Sequence, residues 1–597
     1  MPQDSNAKTV AFTAVAVLVM LYGGLLRLDA FVQKYGVLER PAWARVLTHD
    51  VAPLADAVRP STFSWRREPR PYVGGDPINY IKFAREMTWF YQAHVREPVF
   101  LALTRFGLWA LDGQDAAVSV ASIIGSTVAI FAAYLLGSIV WSRPAGLLAA
   151  VLMAVEYEAV TWAPDGWRDD TFTATVLLSG WALIRMFKRP SIASASLAGA
   201  LCGISCLTRI TALSFVLPAL AWVAVAAAPE LRRVRLQSAA VAFAVLALVV
   251  APYLVSCAIV TGDPLIAINY HTGYYRHYEG KPSDQPMTAA EYVRTKIGER
   301  PIGAIDTIFN GLFVQPFVTK WNGYGRWIGG VRVPLQAFAL AGLAGLLFLP
   351  AGRFLLLIVV MSLVPYMLTW NTGDGRAWRF TMHAYPFYIV AAAFAVSGAV
   401  RTARSIGARP AAWRPALVGM AKRAAVVTVV IAVGVAAYFG LPWLVIGEAI
   451  AHGDSTSVET GRRDVAFFRT GWSAAHKDTI TFRVSRGERS TVHIPLPVQR
   501  DYDIVLRIDP VDPAVQDRVS VLFNRHLVGL LRLSFDPERV GSYRVRVRGE
   551  MVQRSNELTI VPGTLVSAGS AGPRFAWLHH AERVGVRLWY VRVLPLP

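Results

Sequence analysis

The chain has 597 residues, of which 54% are hydrophobic and only 17% charged, and its mean hydropathy is +0.40. A soluble chain of that length needs charged surface over several domains, so this composition excludes an ordinary globular enzyme. The net charge of +20 does not call for nucleic acid, because much of the excess lies in short loops beside apolar runs, the positive-inside pattern of a membrane protein.

Residues 9–28 follow a polar start with one lysine and no small-residue cleavage site, and they read as a retained first span rather than a removed signal peptide. Apolar runs begin near residues 8, 117, 144, 170, 192, 211, 236, 333, 353, 379 and 424, which predicts about eleven transmembrane helices. The basic loops (Arg143; Arg185, Lys188 and Arg189; Arg232, Arg233 and Arg235; Arg353; Arg401, Arg404, Arg409, Arg414, Lys422 and Arg423) all fall on one side if the N-terminus is cytoplasmic. An odd number of spans then places residues 451–597 outside the cell membrane, as a domain separate from a membrane domain over 1–450. Two outside loops, about 29–116 and 260–332, are long, and loops of that length carry function. In the first, residues 78–93 have helical periodicity with Ile81, Phe83, Ala84 and Met87 on one side, and 97–112 read as a short apolar helix lying in the interface. Cys202, Cys206 and Cys257 lie in or at the end of apolar spans and read as small core residues.

From about residue 455 the pattern changes to alternating runs: TITFRV, STVHIPL, YDIVLRI, VSVLF, YRVRVRG, NELTIV and LWYVRVL. Turn signals separate them every 8–12 residues or so, which predicts an all-β sandwich. Trp472, Trp577 and Trp589 could stack on sugar rings, or fill the core of the sandwich.

Four motifs could carry chemistry. The first is Gly74-Gly75-Asp76-Pro77-Ile78-Asn79-Tyr80, leading into Arg85-Glu86 and then Arg96-Glu97-Pro98. A carboxylate just after the first span can serve as general base at the membrane face, and Asp76 before Pro77 also reads as a helix cap. The second is Trp167-Arg168-Asp169-Asp170, either an interface anchor, an acid–arginine cluster contacting substrate, or two carboxylates holding a divalent cation. The third is Arg209 in a short turn between two spans, where a charge must be paired, snorkel, or face a phosphate. The fourth runs from Asp374 through Arg376 and Arg379 to His383, Tyr385 and Pro386, and its outside arginines want an anionic partner. His383 reads as a hydrogen-bonded core residue rather than a metal ligand. No P-loop and no GxGxxG after a strand is present, so a donor on the outer face would have to arrive as a lipid.

These residues, in this order and sidedness, resemble the GT-C membrane glycosyltransferases, in the branch of the protein O-mannosyltransferases and the bacterial aminoarabinose transferases. The matching elements are Asp76, Tyr80, Ala84-Arg85, Arg96-Glu97-Pro98, the Leu207-Thr208-Arg209 turn and Arg379-Phe380 through Pro386, over roughly residues 1–400. Where the family often has two acids in tandem in the first loop, Pro77 follows Asp76 here, and Asp169 or Asp170 is the candidate for the second acid. The C-terminal region resembles a galactose-binding-type jelly roll, through Asn524-Arg525-His526 and the strand Arg554-Ser555-Asn556-Glu557-Leu558-Thr559-Ile560.

The resemblance implies an inverting transfer from a polyprenyl-phosphate sugar to an extracytoplasmic glycan, lipid or protein, with no metal and no cofactor. Asp76 would be the base, with Asp169 or Asp170 assisting. Tyr80, Arg96, Glu97, Arg168, Arg209, Arg376, Arg379 and His383 would bind substrate. A transporter or flippase for a lipid-linked glycan is the alternative, although internal repeats expected of one are not evident. A non-catalytic assembly subunit that binds glycan through its sandwich is a further one.

Overall fold

The computed structural model describes residues 3–35, 46–58, 73–226, 229–278, 287–311, 313, 331–367, 381–408, 413–461, 463–477, 481–516, 518–533, 541–571, 575 and 577–596. The helices are α1 (Gln3–Tyr35), α2 (Ala52–Val58), α3 (Asp76–Glu86), α4 (Pro98–Ala110), α5 (Ala117–Val140), α6 (Arg143–Ala154), α7 (Tyr157–Trp162), α8 (Arg168–Lys188), α9 (Ile192–Thr208), α10 (Leu213–Val225), α11 (Pro229–Thr261), α12 (Ile266–Tyr278), α13 (Ala289–Glu299), α14 (Pro301–Phe309), α15 (Arg332–Leu346), α16 (Pro350–Met367), α17 (Tyr385–Ala408) and α18 (Trp413–Ala451). Each run that the sequence marks as a span falls on one of these helices. By length and apolarity the number able to cross a membrane is smaller. Among the described residues five qualify, or up to seven if two bent pairs each count as one span. The bent pairs are 143–154 with 157–165, at 51°, and 332–346 with 350–366, at 115°. The helices α9 and α10 are short, and α8 carries Arg168, Asp169, Asp170, Arg185 and Lys188 at its ends.

The chain divides into two compact units, residues 1–294 with 308–427, and residues 295–307 with 428–597. The first unit is a helical core in which α5 packs against α6 and α8, α9 against α11, and α15 against α17. Helices approach closely where small residues face each other. A side chain at Gly125 would stand 2.6 Å from the backbone of Thr171, so glycine there lets α5 and α8 touch. The helix expected over 78–93 ends at Glu86. Gln92 folds back to accept from the Thr88 amide at 2.7 Å, which turns the chain after Met87.

The second unit is an antiparallel β-sandwich. Its strands are β1 (Thr456–Glu459), β2 (His476–Lys477), β3 (Thr481–Arg486), β4 (Ser490–Ile494), β5 (Tyr502–Pro510), β6 (Arg518–Phe523), β7 (His526–Arg532), β8 (Ser542–Val547), β9 (Asn556–Pro562), β10 (Val566–Ser567) and β11 (Arg583–Pro595). One sheet runs β2-β3-β11-β5-β8, with β1 and β10 also on β11, and the other runs β4-β9-β6-β7. Alternate residues of both sheets, among them Val492, Ile504, Leu506, Val521, Leu558, Ile560, Val591 and Val593, fill the core. The β6–β7 hairpin turns on Asn524 and Arg525, both at positive φ, and Asn524 is held by donating to Met551 O and Asn556 Oδ1. The last turns of α18 belong to this unit, with Ile446 and Ile450 in the sandwich core. Glu448 accepts from the amides of Ile302 and Gly303 at 2.9 and 2.7 Å, which caps α14 from a distance. Of the three tryptophans, Trp589 is core, Trp472 donates to Thr491 O, and Trp577 stacks on His476.

Candidate active site

Residues 155–167, which contain α7, are fastened by side chains of α1 and α5. Lys34 donates to Pro164 O at 3.0 Å and pairs with Asp165 at 2.6 Å. Ser119 and Ser122 each donate at 2.6 Å, to Pro164 O and Ala163 O. Gly166 then turns at φ 79°, where a side chain would strike Val118 at 2.7 Å. The next residues are Trp167 and the Arg168 that begins α8.

Asp76 is met at this turn. Gly75, not Asp76, occupies the N-cap position of α3, so the half-buried Asp76 carboxylate stands on the first helical turn. A side chain at Gly75 would lie 3.5 Å from the Trp167 ring, and one at Gly166 would lie 3.4 Å from Pro77. The residues on either side of Asp76, Gly75 and Pro77, thus lie close to Trp167 and Gly166, the two residues that precede Arg168.

Arg168 and Asp169, which follow the turn, enter a buried charged cluster. Glu97, at the N-cap of α4, accepts from Arg168 and, at 2.8 Å, from the amide of Ile210. Arg209 donates to Asp169 Oδ1 at 2.7 Å, and its guanidinium lies 5.2 Å from the Tyr366 ring centroid and 5.6 Å from that of Phe172. Tyr366 hydrogen-bonds Thr211 at 2.7 Å, and the His383 ring packs beside Phe172 and Tyr366 with Nε2 3.1 Å from Ser362 O. Two acids and two arginines alternate in this cluster, so each buried charge meets its opposite. Arg209 is held by an acid rather than by snorkelling.

Neighbouring residues on α8 diverge. Asp169 goes to Arg209, whereas Asp170 accepts from Ser122 at 3.1 Å on the α5 side. Among the described residues no group of three His, Cys, Asp or Glu side chains is placed to hold a metal. Arg96 donates to the His271 ring and lies 5.8 Å from the Tyr80 ring centroid, and the buried Tyr80 packs edge-on to Phe100. A small cleft of about 20 Å³ opens beside it, walled by Phe83, Glu86, His94 and Leu101. Burial first, and the Arg96 charge second, hold His94 below its ordinary pKa.

Asp76, Tyr80, Arg96, Glu97, Arg168, Asp169, Asp170, Arg209 and His383 therefore all lie in the helical unit, with Glu97, Arg168, Asp169, Arg209 and His383 in one continuous network. Arg376 and Arg379 lie outside the described residues, as does Asp374. Sequence reasoning passed over Arg27 and Lys34 in α1. The available signal was a charge within or beside an apolar span, which demands a partner.

Residues 95–255 match the family model described as dolichyl-phosphate-mannose-protein mannosyltransferase. That stretch contains Arg96-Glu97-Pro98, Arg168 to Asp170, and Arg209. No curated protein sequence matches the chain. Among solved structures, the apo oligosaccharyltransferase of Archaeoglobus fulgidus aligns at 16% identity and TM-score 0.40, covering 71% of this chain. This chain covers only 54% of that protein's length. ArnT of Cupriavidus metallidurans, bound to undecaprenyl phosphate, aligns at 14% identity and TM-score 0.38, covering 74% of this chain and 70% of its own. The arabinosyltransferase EmbB of Mycobacterium smegmatis aligns at 12% identity and TM-score 0.20, covering 93% of this chain and 67% of its own.

Proposed function

We propose that this protein is an integral membrane glycosyltransferase that moves a sugar from a polyprenyl-phosphate donor to an extracytoplasmic acceptor. The acceptor is a cell-envelope glycan, lipid or protein, and the anomeric centre is inverted. The observation that carries this reading is the flanking of Asp76 by the Gly166–Trp167 turn, which leads directly into the Arg168–Asp169–Arg209 cluster. A carboxylate and fixed cations are the two parts that such a transfer needs.

In that reaction Asp76 takes the proton of an acceptor hydroxyl as its oxygen bonds to the anomeric carbon. The bond from that carbon to the phosphate oxygen breaks, and the departing phosphate keeps the electron pair. Its charge needs no proton but does need cations, for which Arg96, Arg209, Arg376 and Arg379 are the candidates. Glu97 and Arg168 are committed to each other, so their part is to fix the loop and α8 that carry the other groups. The one-sided basic loops support a cytoplasmic N-terminus and a sandwich outside, where it could hold the acceptor glycan.

The test is direct. The purified full chain, in nanodiscs with a panel of polyprenyl-phosphate sugars and an envelope extract, should release free polyprenyl phosphate with at least one donor and transfer its sugar. Movement of intact lipid-linked sugar across a bilayer without release would favour a flippase instead.

A further inference from the structure

Lys34 lies in the last turn of α1, and its side chain is 5% exposed in a helix apolar enough to span a membrane. A lysine buried there must find partners. Its ammonium donates to Pro164 O at 3.0 Å and pairs with Asp165 Oδ1 at 2.6 Å. Ser119 of α5 donates to the same Pro164 carbonyl at 2.6 Å, and the Tyr35 hydroxyl reaches it at 3.3 Å. Ser119 and Tyr35 in turn stand 2.9 Å apart. Three polar side chains from two helices thus converge on one oxygen that has two lone pairs. One carbonyl earlier, Ser122 donates to Ala163 O at 2.6 Å. Residues Ala163–Asp165 form a single tight helical turn that ends on Gly166 at φ 79°, so the Lys34 charge sits at the carbonyl end of that turn. The two residues that follow the anchored turn are the ones that approach the neighbours of Asp76: Gly166 lies close to Pro77, and Trp167 close to Gly75.

We propose that Lys34 is a positioning residue: it pins the 163–165 turn to the end of α1, and so sets the approach of Gly166 and Trp167 to the neighbours of Asp76 and the entry of α8 with Arg168 and Asp169. Lys34 itself touches no reacting group. Its effect on transfer rests on the glycosyltransferase reading, whereas the anchoring is measurable in a protein of any activity. Charge separates Lys34 from Ser119 and Tyr35. A charge-assisted hydrogen bond is roughly twice as strong as a neutral one, and the ammonium ties two successive residues, Pro164 and Asp165. Without it the turn is held by hydroxyls alone, and a misplacement of about 1 Å in a reacting geometry can cost about 100-fold in rate.

The experiment compares Lys34→Met, Lys34→Arg and Ser179→Ala in the full chain in nanodiscs. It reads single-turnover transfer, donor-lipid affinity, and amide hydrogen exchange over residues 157–168 by mass spectrometry. Ser179, further along α8, donates to Leu201 O at 3.0 Å, so Ser179→Ala reports the loss of a buried bond away from the turn. Lys34→Met should exchange about tenfold faster over 157–168 and transfer about tenfold more slowly or worse, with donor affinity within about twofold. Lys34→Arg keeps donors for both partners and should transfer within about threefold of the unaltered protein. Ser179→Ala should leave exchange over 157–168 and transfer within about twofold. Unchanged exchange in Lys34→Met would overturn the anchoring. Faster exchange with normal transfer, or an equal loss of transfer in Ser179→Ala, would overturn the positioning role and leave Lys34 a residue of general stability. Transfer that stays low in Lys34→Arg while exchange is restored would also overturn it, making the ammonium a group in the reaction. If Lys34→Met does not fold, Asp165→Asn, which removes the ion pair and leaves the Pro164 carbonyl its donors, should show the same split in milder form. Normal exchange and transfer by that variant would count against the proposal. Absence of transfer by the unaltered protein would refute the enzyme reading, and exchange would still decide the anchoring.

Discussion

Replacing Glu97 by alanine strikes the most shared group of the charged cluster. Its carboxylate answers the buried Arg168 guanidinium and the Ile210 amide, joining the first long loop to α8 and to the turn after α9. Removing one partner of a buried ion pair costs about 3–5 kcal/mol, and leaving a buried amide without an acceptor costs about 1–3 kcal/mol. Glu97→Ala should therefore lose about 4–8 kcal/mol, a large share of the stability of a typical domain. Glu97→Gln keeps an acceptor for Ile210 and should lose only the ion-pair part, about 3–5 kcal/mol. Adding Arg168→Met to Glu97→Ala removes the orphaned charge and should return the loss to about 1–3 kcal/mol. Unfolding in mixed micelles of graded sodium dodecyl sulfate content gives the differences. If Glu97→Ala stays within about 1 kcal/mol of the unaltered protein, or if the double variant is worse than the single one, the cluster does not hold these segments together.

Gly166→Ala places a side chain at φ 79° and 2.7 Å from Val118. The left-handed conformation and the overpacking together should cost about 2–5 kcal/mol, and transfer should fall with stability, since the neighbours of Asp76 lie against this turn. His94 is held below its ordinary value of 6.5 by burial and Arg96, so the unfolded chain takes up its proton first as pH falls. The stability His94 contributes is present above about pH 6.5 and is lost as pH drops through the folded value. His94→Gln should flatten the acid side of a melting-temperature profile, and an unchanged slope would count against it. Reporter fusions at residues 410 and 500 should report opposite sides of the membrane, with residue 410 inside. Equal cytoplasmic signals would remove the outer-face placement of the site.

The helices were legible because hydrophobic runs of membrane length are a strong one-dimensional signal, and the seven strand runs were legible because alternation with period two is another. Asp76 and Arg209 were legible as charges beside spans. What charge pairing those residues adopt was not. Glu97 and Arg168 are 71 positions apart, and no periodicity links them. The separate duties of Asp169 and Asp170 follow from the helical rotation between neighbours, which sends them to Arg209 and to Ser122. Arg27 lay in the first apolar run and was overlooked as one charge among many apolar residues, although its isolation was itself the clue. The inclusion of residues 295–307 in the sandwich unit depends on Glu448 and Arg463, which reach Ile302, Gly303 and Asp306 across about 150 positions of chain. Such long-range caps have no local signature.

The central claim is that Asp76 is the base of a transfer from a lipid phosphate, and Asp76→Asn tests it most directly because asparagine keeps the size and a polar tip while removing the base. Single-turnover transfer and donor-lipid affinity are measured on the same nanodisc preparation, with the melting temperature as control. The predicted result is a fall in the transfer rate of about 100-fold or more with donor affinity nearly unchanged. A fully active Asp76→Asn protein would contradict the claim and send the search for a base to Asp169 or Asp170.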